Sequence, residues 1–308
     1  MRTVSATVII PCYNHAEYLG ECLQSVVNQT VDDWEAIVVD DASTEGDVSA
    51  IVQSYHDQRI RLIRHSHNRG LAASRNTGVR DARSRVIVPL DADDKLPPAY
   101  LEIVLQSLSD QSVGFVYFDV QCFGDSSTVW SSRPFDPAAV AREHQFILAQ
   151  APIRKEVWEK TGGWCEDPVF RIGYEDTEFL LSVVRHGFRG IYIPQPLYQY
   201  RRTCSTLSAR PRTFVLPIYR RIYERNKDLI LRHSSYSEWM ALGWLEVAEA
   251  YRNLQKPFRS LGCAAWAWII CKYRRPRAAR TIRSSLGILR GRALRFKKPE
   301  RGQMPTAN

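Results

Sequence analysis

An α/β fold with a mostly parallel central sheet, covered by helices on both faces, is predicted for this 308-residue chain by three observations. Short, largely β-branched apolar runs recur along its first part: Val8-Ile9-Ile10, Ala36-Ile37-Val38-Val39, Ile60-Arg61-Leu62-Ile63 and Val86-Ile87-Val88. Stretches with helical spacing separate them. The runs are too continuously apolar for a half-exposed sheet, and such runs suit parallel strands buried beneath helical crossovers.

The first intervening stretch, Tyr18 to Val27, places Leu19, Cys22, Leu23, Val26 and Val27 on one stripe of a helix that faces the sheet. Beyond Leu90 the pattern loosens into a helix over Pro98–Leu108, a strand near Gly114–Phe123 and an irregular polar stretch through Gln150. Helices are expected over Ile153–Lys160, stopped by Gly162-Gly163, and over Asp176–His186, stopped by Gly187. From Pro211 onward the chain reads as helical, interrupted at Pro257 and Pro276. The expected division is a domain over 1–210 that carries the chemistry and a helical, basic extension over 211–308. A chain of this length can bury a sizeable core without covalent staples.

The seven cysteines are odd in number and scattered, with no C-x-x-C pair, so neither a disulfide framework nor a zinc site is signalled. They read as reduced thiols. Met1 to Ser5 runs straight into an apolar strand without the length or cleavage site of a signal sequence, so the catalytic part is expected in the cytoplasm. The net charge of +9 is local: residues 272–308 hold twelve Lys/Arg against one acid, a surplus of 11 that leaves −2 for residues 1–271. Nucleic-acid binding asks for basic residues on the folded body, and this body has none to spare.

In sheets of this kind ligands sit outside the carboxyl ends of the strands, and the residues there are polar: Pro11-Cys12-Tyr13-Asn14, Asp40-Asp41-Ala42-Ser43 and Asp91-Ala92-Asp93-Asp94. Asp91 and Asp93 at a buried strand end invite a cation, and Mg2+ or Mn2+ prefers carboxylates together with substrate phosphates. A solvated acidic turn ahead of the next helix is the plainer explanation. Asp40-Asp41 reads equally as turn chemistry or as acceptors for a base or a ribose. Tyr13 suits stacking on a nucleobase, while Asn14 is equally an N-cap. Arg69 and Arg75 flank the third helix and suit a base or phosphates, or merely solvent. Glu175 and Asp176 open a helix with apolar Phe179, Leu180, Val183 and Val184; they either complement its dipole or supply a general base. His65-Ser66-His67 lacks partner ligands at zinc spacing and reads as loop. Neither G-x-x-x-x-G-K-S/T nor G-x-G-x-x-G occurs after the first strand, which disfavours P-loop and dinucleotide sites.

Five ordered segments together resemble the family 2 glycosyltransferases, which have the GT-A fold: Val8 to Asn14, Ser25-Val26-Val27-Asn28-Gln29-Thr30, Ile37 to Ser43, Asn68-Arg69-Gly70-Leu71-Ala72-Ala73-Ser74-Arg75-Asn76 and Val88 to Asp94. A weaker match continues through Lys160-Thr161-Gly162-Gly163-Trp164 and Gly173 to Asp176, covering roughly 4–208. The resemblance implies that Pro11, Tyr13, Asn14 and Asp41 hold the base and ribose of a nucleotide-diphospho-sugar, with Arg75 nearby. Asp91 and Asp93 would be the D-x-D, Asp91 reaching the nucleotide and both facing Mn2+ or Mg2+. Asp176 would be the base of an inverting displacement, with Glu175 and Trp164 at the acceptor. UDP-sugars are the favoured donors, and a glycan or lipid-linked hydroxyl, in cell-surface polysaccharide synthesis, the favoured acceptor. Ala42 stands where glycine is commoner, a change expected to ask only for an ordinary backbone. Tyr200 to Ser208 looks like the family's Y-R-x-H-x-x-S-x-S with Thr203 at the histidine position; where that histidine helps bind metal or diphosphate, the resemblance implies either weak metal affinity or activity, or compensation by Arg201 and Arg202.

Leu261 to Cys271 is apolar but shorter than the about 20 residues of a spanning helix. Its two tryptophans and the arginines that follow suit a helix lying on an anionic membrane surface, at the inner face of the membrane. Two other classes stay in view. A sugar-phosphate nucleotidyltransferase would need a Gly-rich or basic phosphate loop where Pro11-Cys12-Tyr13-Asn14 stands, and a transferase-like scaffold would lack turnover.

Overall fold

A computed structural model describes residues 4–143, 147, 149–203, 212–270 and 275–296. The chain divides into two compact units: residues 1–209 with 226–229, and residues 210–225 with 230–308.

The first unit is a mixed sheet of eight strands among the described residues, ordered β3-β2-β1-β4-β7-β5-β6 with β8 on the other edge of β5. Strands β1 (Ala6–Cys12), β2 (Trp34–Asp40), β3 (Ile60–Arg64) and β4 (Val86–Pro89) pair in parallel. Helices α1 (Ala16–Val27), α2 (Val48–Ser54) and α3 (Leu71–Asp81) cross over between them. The pleat sorts β1 between two cores. Val8 and Ile10 face Leu19, Leu23 and Val26 of α1, whereas Ile9 faces Ala72 and Val79 of α3. That is why the runs show no alternation: both faces are covered.

After α4 (Tyr100–Ser107) comes β5 (Val113–Gly124), which pairs in parallel with β8 (Arg189–Arg202). The stretch read as irregular holds two elements, β6 (Val129–Trp130) and α5 (Pro137–Glu143). Helix α6 (Lys155–Thr161) is preceded by β7 (Ile153–Arg154), so the expected helix over Ile153–Lys160 loses its first two residues to the sheet. The reason is tertiary. β7 runs antiparallel between β4 and β5, and the Arg154 guanidinium donates to the Val113 and Asp110 carbonyls at 2.7 Å each. Helix α7 (Glu175–Arg185) ends before Gly187, whose φ of 77° suits glycine.

The second unit is helical: α8 (Leu216–His233, apart from residues 226–229), α9 (Tyr236–Asn253), α10 (Pro257–Ile270) and α11 (Arg275–Phe296). Ser235 and Glu238 form a capping box at the start of α9, and Pro257 opens α10, where its missing N–H removes no helical bond. No described helix is long and apolar enough to cross a membrane.

Candidate active site

The carboxyl ends of β1, β2 and β4 open on one rim, and hydrogen bonds stitch their loops together. Asn14 has φ +55° and is not the cap of α1; that position belongs to His15. Its Oδ1 instead accepts from the backbone N–H of Thr44 at 2.8 Å and Glu45 at 3.2 Å, and its own N–H donates to Ser43 Oγ at 3.0 Å. Asparagine tolerates that left-handed backbone better than most residues. Ala42 also has φ +61°, so the expectation of an ordinary backbone there is wrong. The loop keeps the shape a glycine would take, and the alanine is held in it by Asp40, whose Oδ1 accepts from Ser43 N–H at 2.8 Å.

Asp41 is buried and faces inward. Oδ1 accepts from Arg69 N–H at 2.8 Å and lies 2.7 Å from His65 Nδ1, and Oδ2 accepts from Gly70 N–H at 2.7 Å. Asp41 and the buried His65 therefore set the entry to α3, a role the sequence did not disclose. Pro11 is likewise buried, within β1. Of the residues expected to hold a base, Tyr13 is the one presented to solvent, at 46% exposure.

The centre of the site is Arg75, 1% exposed and one turn inside α3. Its Nη2 donates to Asp91 Oδ1 at 3.0 Å and its Nη1 to Glu175 Oε1 at 2.8 Å. One guanidinium thus joins the end of β4 to the start of α7. It does not meet solvent, because both amino groups are committed to carboxylates, Glu175 buried and Asp91 partly exposed. Two acceptor assignments change for the same reason. Glu175 is buried on Arg75, and burial first, then Asp176, pushes its carboxyl up to about 7 against the opposing guanidinium. Trp164 is 2% exposed and stacked on Phe179 with centroids 4.5 Å apart, so it packs the core beneath the site. Asp176 differs from its neighbour. It is half-exposed, and Oδ1 accepts from Thr177 N–H at 2.7 Å while Oδ2 accepts no hydrogen bond from the described residues. The turn that presents it uses a non-glycine left-handed residue, Tyr174, at φ 73°.

Asp91 is clamped from two sides. Gln150 donates from Nε2 to Asp91 Oδ2, opposite the Arg75 bond on Oδ1. Sequence reading missed Gln150 because it stands in the stretch without periodicity. Asp94, for which the sequence offers no role of its own, is buried, accepting Tyr198 O–H at 2.8 Å and Arg201 N–H at 2.7 Å. It pins the acidic loop to β8, which Lys95 and Gln199 reinforce with a two-way backbone bridge at 3.0 and 3.1 Å. Arg201 is absorbed in the same frame, donating to the Asp93 carbonyl at 2.8 Å and to Glu21 at 3.1 Å. Of the Tyr200–Ser208 segment, Cys204 to Ser208 lies outside the described residues.

Asp93 remains the least compensated acid. His15 Nδ1 lies 3.9 Å from its Oδ1, and burial first, then Asp91, hold its carboxyl above the ordinary range. A divalent cation fits this donor set. Among the described residues no three His, Cys, Asp or Glu side chains converge as a metal site, so the chain offers one or two oxygens and leaves the remaining positions to phosphate and water.

Comparison with known proteins agrees with this geometry. A profile of the Glycosyl transferase family 2 domain matches residues 7–166. TuaG of Bacillus subtilis (strain 168), named for teichuronic acid biosynthesis, is 36% identical over 208 residues, spanning 66% of this chain and 81% of that one. Among solved structures, S. aureus TarS 1-349 in complex with UDP-GlcNAc superposes with a TM-score of 0.65 at 15% identity, covering 94% of this chain and 92% of that one. The mannosyltransferase PcManGT of Pyrobaculum calidifontis, in complex with GDP-Man and Mn2+, gives 0.56 at 22% identity, covering 96% and 88%. At such identities the two structures establish the fold.

Proposed function

The chain belongs to glycosyl transferase family 2, and from that premise we propose that it moves a sugar, with inversion, from a nucleotide-diphospho-sugar to a hydroxyl of a glycan or lipid-linked acceptor in polysaccharide synthesis. The observation that carries this reading is the Arg75 bridge, which holds the Asp91 loop and the Asp176 turn on one rim. Asp176 takes the acceptor proton through Oδ2, the freed oxygen attacks the anomeric carbon, and the nucleoside diphosphate departs on the opposite side. Tyr13 stacks on the base, uracil being favoured, and Asn14 holds the loop that presents it. Asp93, with Asp91, would hold Mn2+ or Mg2+, which when bound supplies positive charge for the departing diphosphate. Arg75 and Gln150 hold Asp91 in one rotamer from two sides. The enzyme works at the cytoplasmic face of a membrane, held there through its basic C-terminal segment.

The test is release of nucleoside diphosphate from a panel of nucleotide-sugars with Mn2+ or Mg2+. Asp93→Asn and Asp176→Asn are each expected to lower turnover by about 100-fold or more, a magnitude typical of removing a general base or a charge at the reacting centre. Turnover intact in both variants would sink the assignment.

A further inference from the structure

On the last two helices of the helical unit, α10 and α11, small side chains face inward, and on α10 large apolar ones face outward. On α10, Ser260, Ala264 and Ala267 are fully buried, while Phe258 is 75%, Trp266 50% and Ile269 63% exposed. At about 100° per residue these three large residues fall within a roughly 80° arc, and the three small ones lie on the opposite side. Helix α11 repeats the pattern: Ala278, Thr281 and Ser285 are buried, and Arg280, Arg283 and Leu286 are exposed.

Where α10 and α11 meet α9, the seam is closed by close approach and hydrogen bonds rather than by bulk. Ser260 Oγ donates to the Ala248 carbonyl at 2.7 Å, so the Ser285 hydroxyl, 2.8 Å away, donates in turn to Ser260. Ala241 and Leu245 of α9 meet Ala267 and Ala278 in one cluster. In water, burying alanine while exposing tryptophan, phenylalanine and isoleucine on one helix forgoes most of the available hydrophobic stabilisation. That arrangement becomes favourable when the outward face has an apolar phase of its own, and small-residue packing is how helices associate where large side chains face lipid. The helices are too short and too charged to span, which leaves the interface.

We infer that the outward face of α10, centred on Phe258, Trp266 and Ile269, inserts into an anionic lipid surface, with the arginines of α11 and the basic residues beyond it meeting the headgroups. Charge selects lipid over another protein surface: twelve Lys/Arg stand against one acid from residue 272 onward, and Arg280 and Arg283 are exposed on the helix that packs on α10. The inference rests on the membrane reading above and moves the anchor. Charge alone would hold the protein reversibly at the surface; the α10 face adds insertion.

Co-sedimentation of the full-length protein with phosphatidylglycerol–phosphatidylcholine vesicles tests it. The triple variant F258Q/W266Q/I269Q is expected to lower partitioning at least about tenfold, with unchanged thermal melting and unchanged nucleoside diphosphate release. The charge variant R280Q/R283Q/K297Q/K298Q is expected to lower it several-fold and to flatten its salt dependence. Lipids brominated on the acyl chain should quench tryptophan fluorescence in the wild type and much less in W266F. Wild-type partitioning of the triple variant, with the charge variant released, overturns insertion by α10 and leaves surface attraction standing. Wild-type partitioning of both overturns the two readings together. A wild type that ignores vesicles and dimerises through this face, with the triple variant monomeric, overturns the lipid assignment in favour of a second copy.

Discussion

The sheet unit and the α10–α11 pair of the helical unit solve burial in opposite ways. The sheet unit fills its two cores with Ile, Val, Leu and aromatic side chains and then buries ionisable groups beside them: Arg75, Asp40, Asp41, Asp94 and Glu175 are all under 6% exposed. Helices α10 and α11 bury alanine, serine and threonine, and α10 turns aromatic residues outward, whereas α8 and α9 of the same unit bury Tyr219, Ile222, Trp239 and Leu242 in the usual way. Charge inside a large core is costly, and it persists where it positions chemistry. Apolar surface outside a small core is also costly, and it persists where something covers it. The sheet unit is organised around a site and the α10–α11 pair around a face.

The sharpest way to break this contrast is to remove the cation that lets the sheet unit bury its acids. Arg75→Met would leave Glu175 and Asp91 facing each other without a counter-charge, and a loss of about 3–5 kcal/mol is expected from the urea midpoint. Arg75→Lys should recover little of it, since a single ammonium cannot supply two separate amino groups to Asp91 and Glu175. A loss below about 1 kcal/mol would mean that the acids are neutral or solvated, and the comparison would fail.

In the helical unit the expected ranking of neighbours is inverted from what side-chain size suggests. Ala267→Leu overfills the seam among α9, α10 and α11 and should destabilise by about 1–3 kcal/mol. Trp266→Gln, one residue earlier, should change the thermal midpoint by no more than about 0.5 kcal/mol in the absence of lipid. Equal losses at the two positions would place Trp266 in a core.

How much of this could be read from sequence follows the same division. The strands and the D-x-D loop were legible because β-branched runs and strand-end acids are local signals, and their order is specific. Gln150 was not, since its only claim is a contact with Asp91 fifty-nine residues earlier. Trp164 and Glu175 looked like site residues because they sit in recognisable motifs, yet the motif does not say which side chain points in; Phe179 and Arg75 decide that. In the tail, the apolar run from Leu261 named the helix but not its outward face, because alternating small and large residues fit either a core or a lipid surface until α9 and α11 pack on one side.

Burial of acids also makes the sheet unit sensitive to pH. Glu175 is held at about 7, above its ordinary 4.5, so the native state binds its proton more tightly than the unfolded chain. The resulting stabilisation is complete below about pH 4.5 and is lost as pH rises through about 7. Asp94, raised by burial and by Asp93, acts in the same direction. Urea midpoints should therefore fall from pH 5 to pH 7.5 by about 1–2 kcal/mol more in the wild type than in Glu175→Gln. Parallel profiles would show that Glu175 stays ionised against Arg75 throughout.

The smallest expected effect bears on why the sheet unit carries backbone strain at its rim. Asn14, Ala42 and Tyr174 all have positive φ, and each lies in a loop of the candidate site. For alanine that conformation costs about 1–2 kcal/mol, partly offset because alanine loses less entropy than glycine on folding. Ala42→Gly should therefore stabilise the protein by up to about 1 kcal/mol. What the variant does to turnover then separates two origins of the strain. If the bond from Ser43 N–H to Asp40 holds the loop regardless of residue 42, turnover stays unchanged and the alanine is a tolerated defect. If the alanine narrows the loop's excursions so that Asn14 stays bonded to Thr44 and Glu45, the KM for nucleotide-sugar rises severalfold in the more stable variant, while kcat holds. The second outcome is the one expected, because Asn14 reaches the Asp40–Ser43 turn through bonds to Ser43, Thr44 and Glu45, and a freer turn would release that stitch before it released anything in the core.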